Sequence, residues 1–277
     1  MEKYAEEHGG KLDGVSLGER NEGGVKISER EVLNEAGEEL LGRAKGKYVT
    51  LEFSDITVAD FAAFSSLCSL CGRELRSVCG GAESALICGV GNARMAADSL
   101  GPSALGHVLV TRSLRLREPN AFLKSGFADV SAIAPGVGAD TGFCAAEIVR
   151  FAAEAAKPDV VIAIDALAAR STERLCKTVQ ISNAGVSPGS GVGNSRARLD
   201  KSSVGAPVIS LGVPTVVDVA TLVRDALQSN VKAEKYGGLF VCPADIDVQS
   251  KLLARLVGFA VNIAFHKGYT LEEMLLG

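Results

Sequence analysis

The sequence predicts an α/β protein, a three-layer sandwich in which a mostly parallel sheet carries helices on both faces. Three observations predict it. Short runs such as Val160-Val161-Ile162-Ala163-Ile164 are apolar at every position, as expected of strands buried on both faces. These runs alternate with stretches of helical length and periodicity, the rhythm of parallel strands joined by crossover helices. The runs also end in turn-forming residues, as at Gly89-Val90-Gly91-Asn92 and Pro135-Gly136-Val137-Gly138, where a strand hands over to a helix.

Taken in order, residues 1–24 are polar, charged and rich in Gly and Glu, and read as a mobile arm. Residues 25–277 read as one α/β domain, since no repeat or long linker divides them. Strands are expected between 24 and 53, with Tyr48-Val49-Thr50-Leu51-Glu52 the clearest alternation. A helix is expected over 55–79 and a loop over 80–84. The apolar run 85–88 is a strand, 98–109 a helix, and 130–134 a second strand. Residues 144–156 form an amphipathic helix closed by Lys157-Pro158. The run 160–164 is a third strand that ends at Asp165, and 207–211 a further one ending in Gly212-Val213-Pro214. Helices over 215–228 and 245–266 complete the chain.

Composition narrows the function. The chain has 277 residues, 47% of them hydrophobic, no Trp and a net charge of −4. A nucleic-acid binder needs a basic surface to neutralise phosphates, so that class is disfavoured. The apolar runs are too short to span a bilayer, and the charged start after Met1 is unlike a secretory signal. The seven cysteines are odd in number and irregularly spaced, which fits a reduced, cytoplasmic protein. Cys68 and Cys71 form a C-x-x-C without a second pair. They read as a helix face rather than a metal site. No metal and no cofactor is expected.

In a sheet of this kind the active site lies beyond the carboxyl ends of the strands. Asn92 and Asp98 follow one strand, Asp165 caps another, and Thr215 and Asp218 follow a third. A carboxylate after an apolar run is costly to bury unless it is partnered. Asp165 therefore reads as an acid or base, or as the cap of the next helix. Asp98 carries the same two readings. Two carboxylates converging from different strand ends can divide general acid and general base work. The G-x-G at Gly89 lacks the third glycine of a dinucleotide fingerprint, Arg94 standing in its place. The loop Gly189-Ser190-Gly191-Val192-Gly193-Asn194 fits a substrate-facing segment. His8, His107 and His266 all fall away from the strand mouths. A Ser-His or Cys-His device is therefore disfavoured, and His266 reads as a charge at a helix C-terminus.

These residues resemble the germination protease family. The resemblance runs from about Gly24 to His266 and is carried by ordered blocks. Among them are Gly89-Val90-Gly91-Asn92 with Asp98-Ser99-Leu100-Gly101-Pro102, and Ile164-Asp165-Ala166-Leu167-Ala168-Ala169-Arg170-Ser171. Pro188-Gly189-Ser190-Gly191-Val192-Gly193-Asn194 and Gly212-Val213-Pro214-Thr215-Val216-Val217-Asp218 follow. The resemblance implies a fold similar to hydrogenase maturation proteases, of the phosphorylase/hydrolase-like kind. It implies an atypical aspartic endopeptidase, made as a zymogen and active as a homotetramer in the developing spore. Its substrates would be small acid-soluble spore proteins. The family's two essential aspartates match Asp98 and Asp165. Asn92, Arg170, Ser190, Asn194, Thr215 and Asp218 fall in the matching blocks as supporting or substrate-binding residues. The chain departs from the family at Ala93, Arg94, Ala96 and Ala97, before the first aspartate, and at Asn183, where Asp is usual. Its N-terminal arm, residues 1–24, which by this resemblance is a mobile arm or a remnant pro-segment, is short and lacks the usual pro-segment pattern around its cleavage point. Two alternatives remain: a hydrogenase-maturation-like protease, and a non-catalytic sporulation homologue.

Overall fold

The structure, a computed structural model, describes residues 13–57, 59–187, 189, 197–228, 236, 238–268 and 271–276. The chain opens with β1 (Val15–Glu22), β2 (Val25–Val32), α1 (Glu35–Leu41) and β3 (Gly46–Glu52). The long helix α2 (Phe61–Val78) leads to β4 (Ser84–Gly89), a 3-10 turn at Ala96–Asp98 and the short helix α3 (Leu100–Ala104). Next come α4 (Arg112–Arg117), α5 (Pro119–Ser125), β5 (Asp129–Ile133), α6 (Gly138–Thr141), α7 (Ala145–Ala156) and β6 (Val160–Ala169). The last part holds β7 (Thr178–Ser182), α8 (Lys201–Val204), β8 (Val208–Asp218), α9 (Val219–Leu227), β9 (Phe240–Val241), α10 (Ile246–Phe265) and α11 (Leu271–Leu276).

Among the described residues, nine strands form one sheet in the order β1-β2-β3-β7-β8-β6-β4-β5, with β9 on β8. The half read from strand–helix alternation is parallel: β8, β6, β4 and β5. The other half is antiparallel, since β7 pairs β8 and β3, and β2 and β1 follow. The α/β sandwich is therefore built on a mixed sheet.

Two cores follow from the two-residue period of the strands. Ile87, Ile162, Ile164 and Leu211, with Ile27, Leu51 and Ile181 from the antiparallel half, bury against α2 and α10. The opposite face places Leu86, Cys88, Val161 and Ala163 against Ala146, Val149 and Ala153 of α7. Helices α2 and α10 cross at Gly72, where a Cβ would meet the Ile263 side chain at 2.7 Å and the Ala260 carbonyl at 2.9 Å. Cys68 and Cys71 lie on the buried face of α2, as read from the sequence. Helix α10 is long and apolar enough to cross a membrane, but 67% of its apolar window is buried inside the protein. It is a core helix.

Several elements differ from the sequence reading. The arm expected over 1–24 ends earlier: Val15–Glu22 is a strand, paired with β2 along its whole length. Its composition is polar because nearly all of it is exposed, so no apolar alternation marks it. The two-residue turn at Gly23 and Gly24, both at positive φ, is the left-handed geometry that a tight hairpin requires. Arg20 bonds the buried Glu74 of α2 at 2.6 Å, and Arg73 bonds Glu22 at 2.6 Å, fastening this edge strand to the helix layer. Residues 1–12 lie outside the described residues. The helix expected over 98–109 is broken into 3-10 turns around α3. The helix expected from 215 begins at Val219, because β8 runs on to Asp218.

His266 is not the charged helix end expected. It is 2% exposed, with Nε2 3.0 Å from the Leu109 carbonyl, and burial holds its pKa below the ordinary 6.5. The unfolded chain therefore takes up this proton first as pH falls, so this contribution to stability is present above about 6.5 and lost below it. His107 shifts in the same direction, mainly by burial. The melting temperature should fall between about pH 7.5 and 5.5. In a His266→Gln variant that fall should be visibly shallower, and an unchanged slope would count against His266 as a source.

Candidate active site

Strand β4 stops where its neighbour does not. Gly89 is the last β4 residue paired to β6, opposite Ile164, and Val90 then donates to the Ile164 carbonyl at 2.8 Å. Strand β6 continues to Ala169, paired only with β8. Asp165 is thus the first β6 residue beyond the end of β4. The sequence reading placed it at the end of its own strand; it sits at the end of the neighbouring one. It is 4% exposed.

The segment after β4 folds back over this point. Gly91 has φ 123°, and a Cβ there would lie 2.1 Å from the Asp98 carbonyl oxygen, so only glycine allows the approach. The Asn92 amide donates to Asp98 Oδ2 at 2.8 Å, and Asn92 Oδ1 accepts from the Arg94 amide at 2.9 Å. Thr215, 1% exposed, donates its hydroxyl to the Ala97 carbonyl at 2.6 Å. Gly101 then rests on the sheet: a Cβ there would lie 2.3 Å from the Val90 carbonyl oxygen and 2.4 Å from that of Ile164. The turn holding Asp98 abuts β6 and β8. Asp98 and Asp165 therefore both lie at the end of β4, although Asp98 is not among the residues lining the cavity into which Asp165 opens.

Asp165 opens into a cavity of about 150 Å³ on the face opposite α2, shared with Arg43, Tyr48, Gln180, Ser182 and Ser210. Register explains the grouping. Ser28 pairs Thr50, Thr50 pairs Gln180, Gln180 pairs Gly212 and Gly212 pairs Asp165. Directly paired residues project to the same face, so these five form one row across the sheet. Sequence reasoning missed β7 and with it Gln180 and Ser182. Its signal was present in the alternation Thr178-Val179-Gln180-Ile181-Ser182.

Other candidates fall elsewhere. Asp218 ends β8 and caps α9, accepting from the Thr221 amide at 2.9 Å and hydroxyl at 2.5 Å. Burial raises its pKa, but the bonds from Thr221 outweigh that and hold it below the ordinary value. It lies six residues along β8 from Gly212, roughly 20 Å away, and there it caps a helix. Thr215 fastens the Asp98 turn. Arg170 is exposed and lines a separate small pocket. Ser190 and Asn194 lie outside the described residues. Asn183 accepts from the Lys47 amide at 2.7 Å, a bond that an Asp carboxylate would also accept. Cysteines held in the core are poor nucleophiles here. Burial pushes Cys68 and Cys79 up to about 12, and burial together with the Asp165 charge raises Cys88. A thiolate is the reactive form. No group of three or more metal-ligating side chains occurs among the described residues.

Residues 1–233 match the germination protease family. The germination protease of Clostridium tetani is 35% identical, over 99% of this chain and 95% of that protein. That of Caldanaerobacter subterraneus is 35% identical, over 95% of this chain and 91% of its own. That of Bacillus subtilis is 42% identical, over 77% of this chain and 59% of its own. Among solved structures, a nickel-iron hydrogenase maturation protease from Thermococcus kodakarensis covers 68% of this chain and 99% of its own. It does so at 18% identity and a TM-score of 0.32, a likeness too loose to weigh.

The close seat of α3 predicts a test of the scaffold. Gly101→Ala forces a methyl group against two backbone carbonyls that cannot yield. It should cost about 3 kcal/mol, the upper part of the overpacking range, read by urea unfolding. Thr215→Val should cost about 1 kcal/mol for its hydrogen bond. A Gly101→Ala protein of wild-type stability would show that α3 is seated more loosely than described.

Proposed function

We propose, starting from the fact that this chain belongs to the germination protease family, that it is an endopeptidase which initiates degradation of small acid-soluble spore proteins. We further propose that Asp98 and Asp165 perform the chemistry. The observation that carries this reading is the arrival of two carboxylates, from different segments, at one end of the sheet. Asn92, Gly91, Thr215 and Gly101 hold the turn that bears Asp98. Asp165 borders a cavity whose walls include the polar side chains of Arg43, Gln180, Ser182 and Ser210.

In the proposed reaction one carboxylate takes a proton from water as its oxygen attacks the peptide carbonyl carbon. The other, protonated, gives its proton to the departing amide nitrogen as the C–N bond breaks. The products are a carboxylate and an ammonium group once the new carboxyl proton has passed to the amine, and the proton gained by the first aspartate returns to the second before the next cycle. Raised thiol pKa values in the core speak for carboxylates over cysteine as the working groups.

The same reading extends to assembly and setting. Assembly as a homotetramer is supported by exposed apolar side chains such as Leu116 and Leu123 on α4 and α5, while synthesis as a zymogen and a place in the spore core rest on the family alone. Light scattering at micromolar concentration should report several times the 28.7 kDa chain mass. A clean monomer would remove the assembly from the proposal.

The chemistry is tested by substitution. Asp98→Asn and Asp165→Asn keep size and most hydrogen bonding but cannot cycle a proton. Each should lower the cleavage rate on a purified small acid-soluble spore protein by at least ~100-fold, with an unchanged circular dichroism spectrum. Thiol alkylation and chelators should leave most of the activity. Two Asn variants that cut at near wild-type rates would falsify the assignment, and chelator-sensitive cleavage would point to a metal instead.

A further inference from the structure

Strand β6 has one open side for part of its length, and that part begins next to Asp165. The backbone groups of successive strand residues aim at opposite neighbours. Val161 donates to the Pro207 carbonyl on the β8 side, and Ile164 accepts from Val90 on the β4 side. Counting on by twos from Ile164, Ala166 and Ala168 also aim their N–H and C=O groups toward the β4 side. The β6–β8 ladder is irregular between Leu167 and Ala168, but the extra residue, Thr215, belongs to β8, so the alternation along β6 carries through. Strand β4 has ended by then, its last pair being Gly89 with Ile164. Among the described residues, no backbone–backbone hydrogen bond outside the β6–β8 ladder involves Ala166 or Ala168. Both residues are half-buried.

A strand edge of this kind takes an extended chain as a further strand, with main-chain bonds giving affinity and alternate side chains giving specificity. Proteins usually blunt open edges with charges, prolines or bulged strands. Here the edge reads Ala166-Leu167-Ala168-Ala169, without charge or proline, and its small side chains leave room for a neighbouring backbone. It is short, roughly 13 Å, which limits pairing with unrelated chains. Leu167 leans the other way, over β8: a Cβ on Gly212 would meet its Cδ1 at 2.6 Å. Asp165 and Leu167 line the same cavity, while Ala166 packs on the core of the opposite face. The edge is thus continuous with the candidate active site, and the occupant it fits is a peptide main chain. An added strand lies ~5 Å from β6, which brings its peptide bonds within reach of the Asp165 side chain.

We infer that the open edge of β6 at Ala166 and Ala168 binds the substrate through its main chain, as an added strand, with the bond to be cut lying beside Asp165. The inference rests on the proposed protease reading for the identity of the occupant. Ala166 donates its N–H to a peptide carbonyl and accepts from a peptide N–H, and Ala168 does the same one repeat further along. The substrate class is an extended segment, since a helical one has its backbone groups already bonded within itself.

The test is a backbone scan of the substrate. Bonds cut in a small acid-soluble spore protein are mapped by mass spectrometry. A peptide spanning one cut is then made with each amide flanking the scissile bond replaced singly by an ester, which removes one donor and keeps the shape of the chain. Esters at alternate positions should lower kcat/KM by about 2- to 10-fold, the worth of one neutral hydrogen bond, and the positions between them should cost little. Ala166→Pro lacks the N–H at an edge position where proline is tolerated; it should lower kcat/KM on the all-amide peptide and flatten the alternation. If that variant loses the native circular dichroism spectrum, the ester scan decides by itself. Esters that cost nothing anywhere, or the same everywhere, overturn the added strand. So does an unalternating scan together with a lower scattering mass for Ala166→Pro, which assigns the edge to pairing between copies of the chain. Where no peptide is cut, the edge is judged by binding, and if the whole spore protein also stays intact the protease reading is what has failed. Fluorescein-labelled segments of the spore protein are then compared by anisotropy with forms N-methylated at every second residue, in each of the two phases. Weaker binding of one phase alone sustains the inference; equal binding of both phases, or none, overturns it.

Discussion

The architecture of the candidate site depends on one close backbone contact. Gly101 lies on the Val90 and Ile164 carbonyls, and Gly89 lies as close to the Gly101 carbonyl, where a Cβ would stand at 2.4 Å. Any side chain at these positions would lift α3 off the strands. With glycine there, the turn before α3 is pressed against the end of β4. Asp98 then stands next to the point at which β6 outruns its neighbour. The hydrogen bonds from Asn92 and Thr215 trim this arrangement, but the approach itself is a matter of volume. Buried backbone cannot be pushed aside as a flexible side chain can.

A second consequence follows from β4 ending early. A strand that loses one neighbour has a side open to other groups while its other side stays in the ladder. Asp165 occupies the first such position on β6. It keeps the rigidity of a central strand and still borders a cavity, which suits a group that must hold its geometry within a fraction of an ångström. Its burial at 4% exposure and its effect on the Cys88 thiol both come from the same position.

The antiparallel half of the sheet divides the labour differently from the parallel half. One of its faces joins the large core through Val25, Ile27, Val49, Leu51, Val179 and Ile181. The other face carries Ser28, Arg30, Tyr48, Thr50, Gln180 and Ser182, polar residues that line hollows instead of packing under a helix. Alternation along each strand sorts the two sets, and ion pairs such as Arg20–Glu74 and Lys47–Glu29 anchor the edge strands. The result is a polar floor that begins at Asp165 and runs outward to the arginines.

The sequence by itself determined the elements whose character is local. Apolar runs at 85–88 and 160–164 became β4 and β6, because a strand buried on both faces must be apolar throughout, while 130–134 became the edge strand β5, in which only Val130 is buried. The amphipathic stretch at 144–156 became α7, with Cys144 and Lys157 at its two ends, because one helix face meets a core and the other meets water. The two aspartates were legible as carboxylates that follow apolar runs. What the tertiary structure alone decided was pairing between distant segments. Strand β7, inserted between β3 and β8, brings Gln180 and Ser182 beside Asp165. The polar strand β1 is held by its ladder to β2 and not by its own composition. The reach of β8 to Asp218 turned an expected site residue into a helix cap. The arginines at 30, 43, 170 and 174 share one hollow although they come from separate parts of the chain. Periodicity reports the surroundings of each residue within a few positions of itself. Register between non-adjacent strands depends on how whole layers pack, and no local pattern carries it.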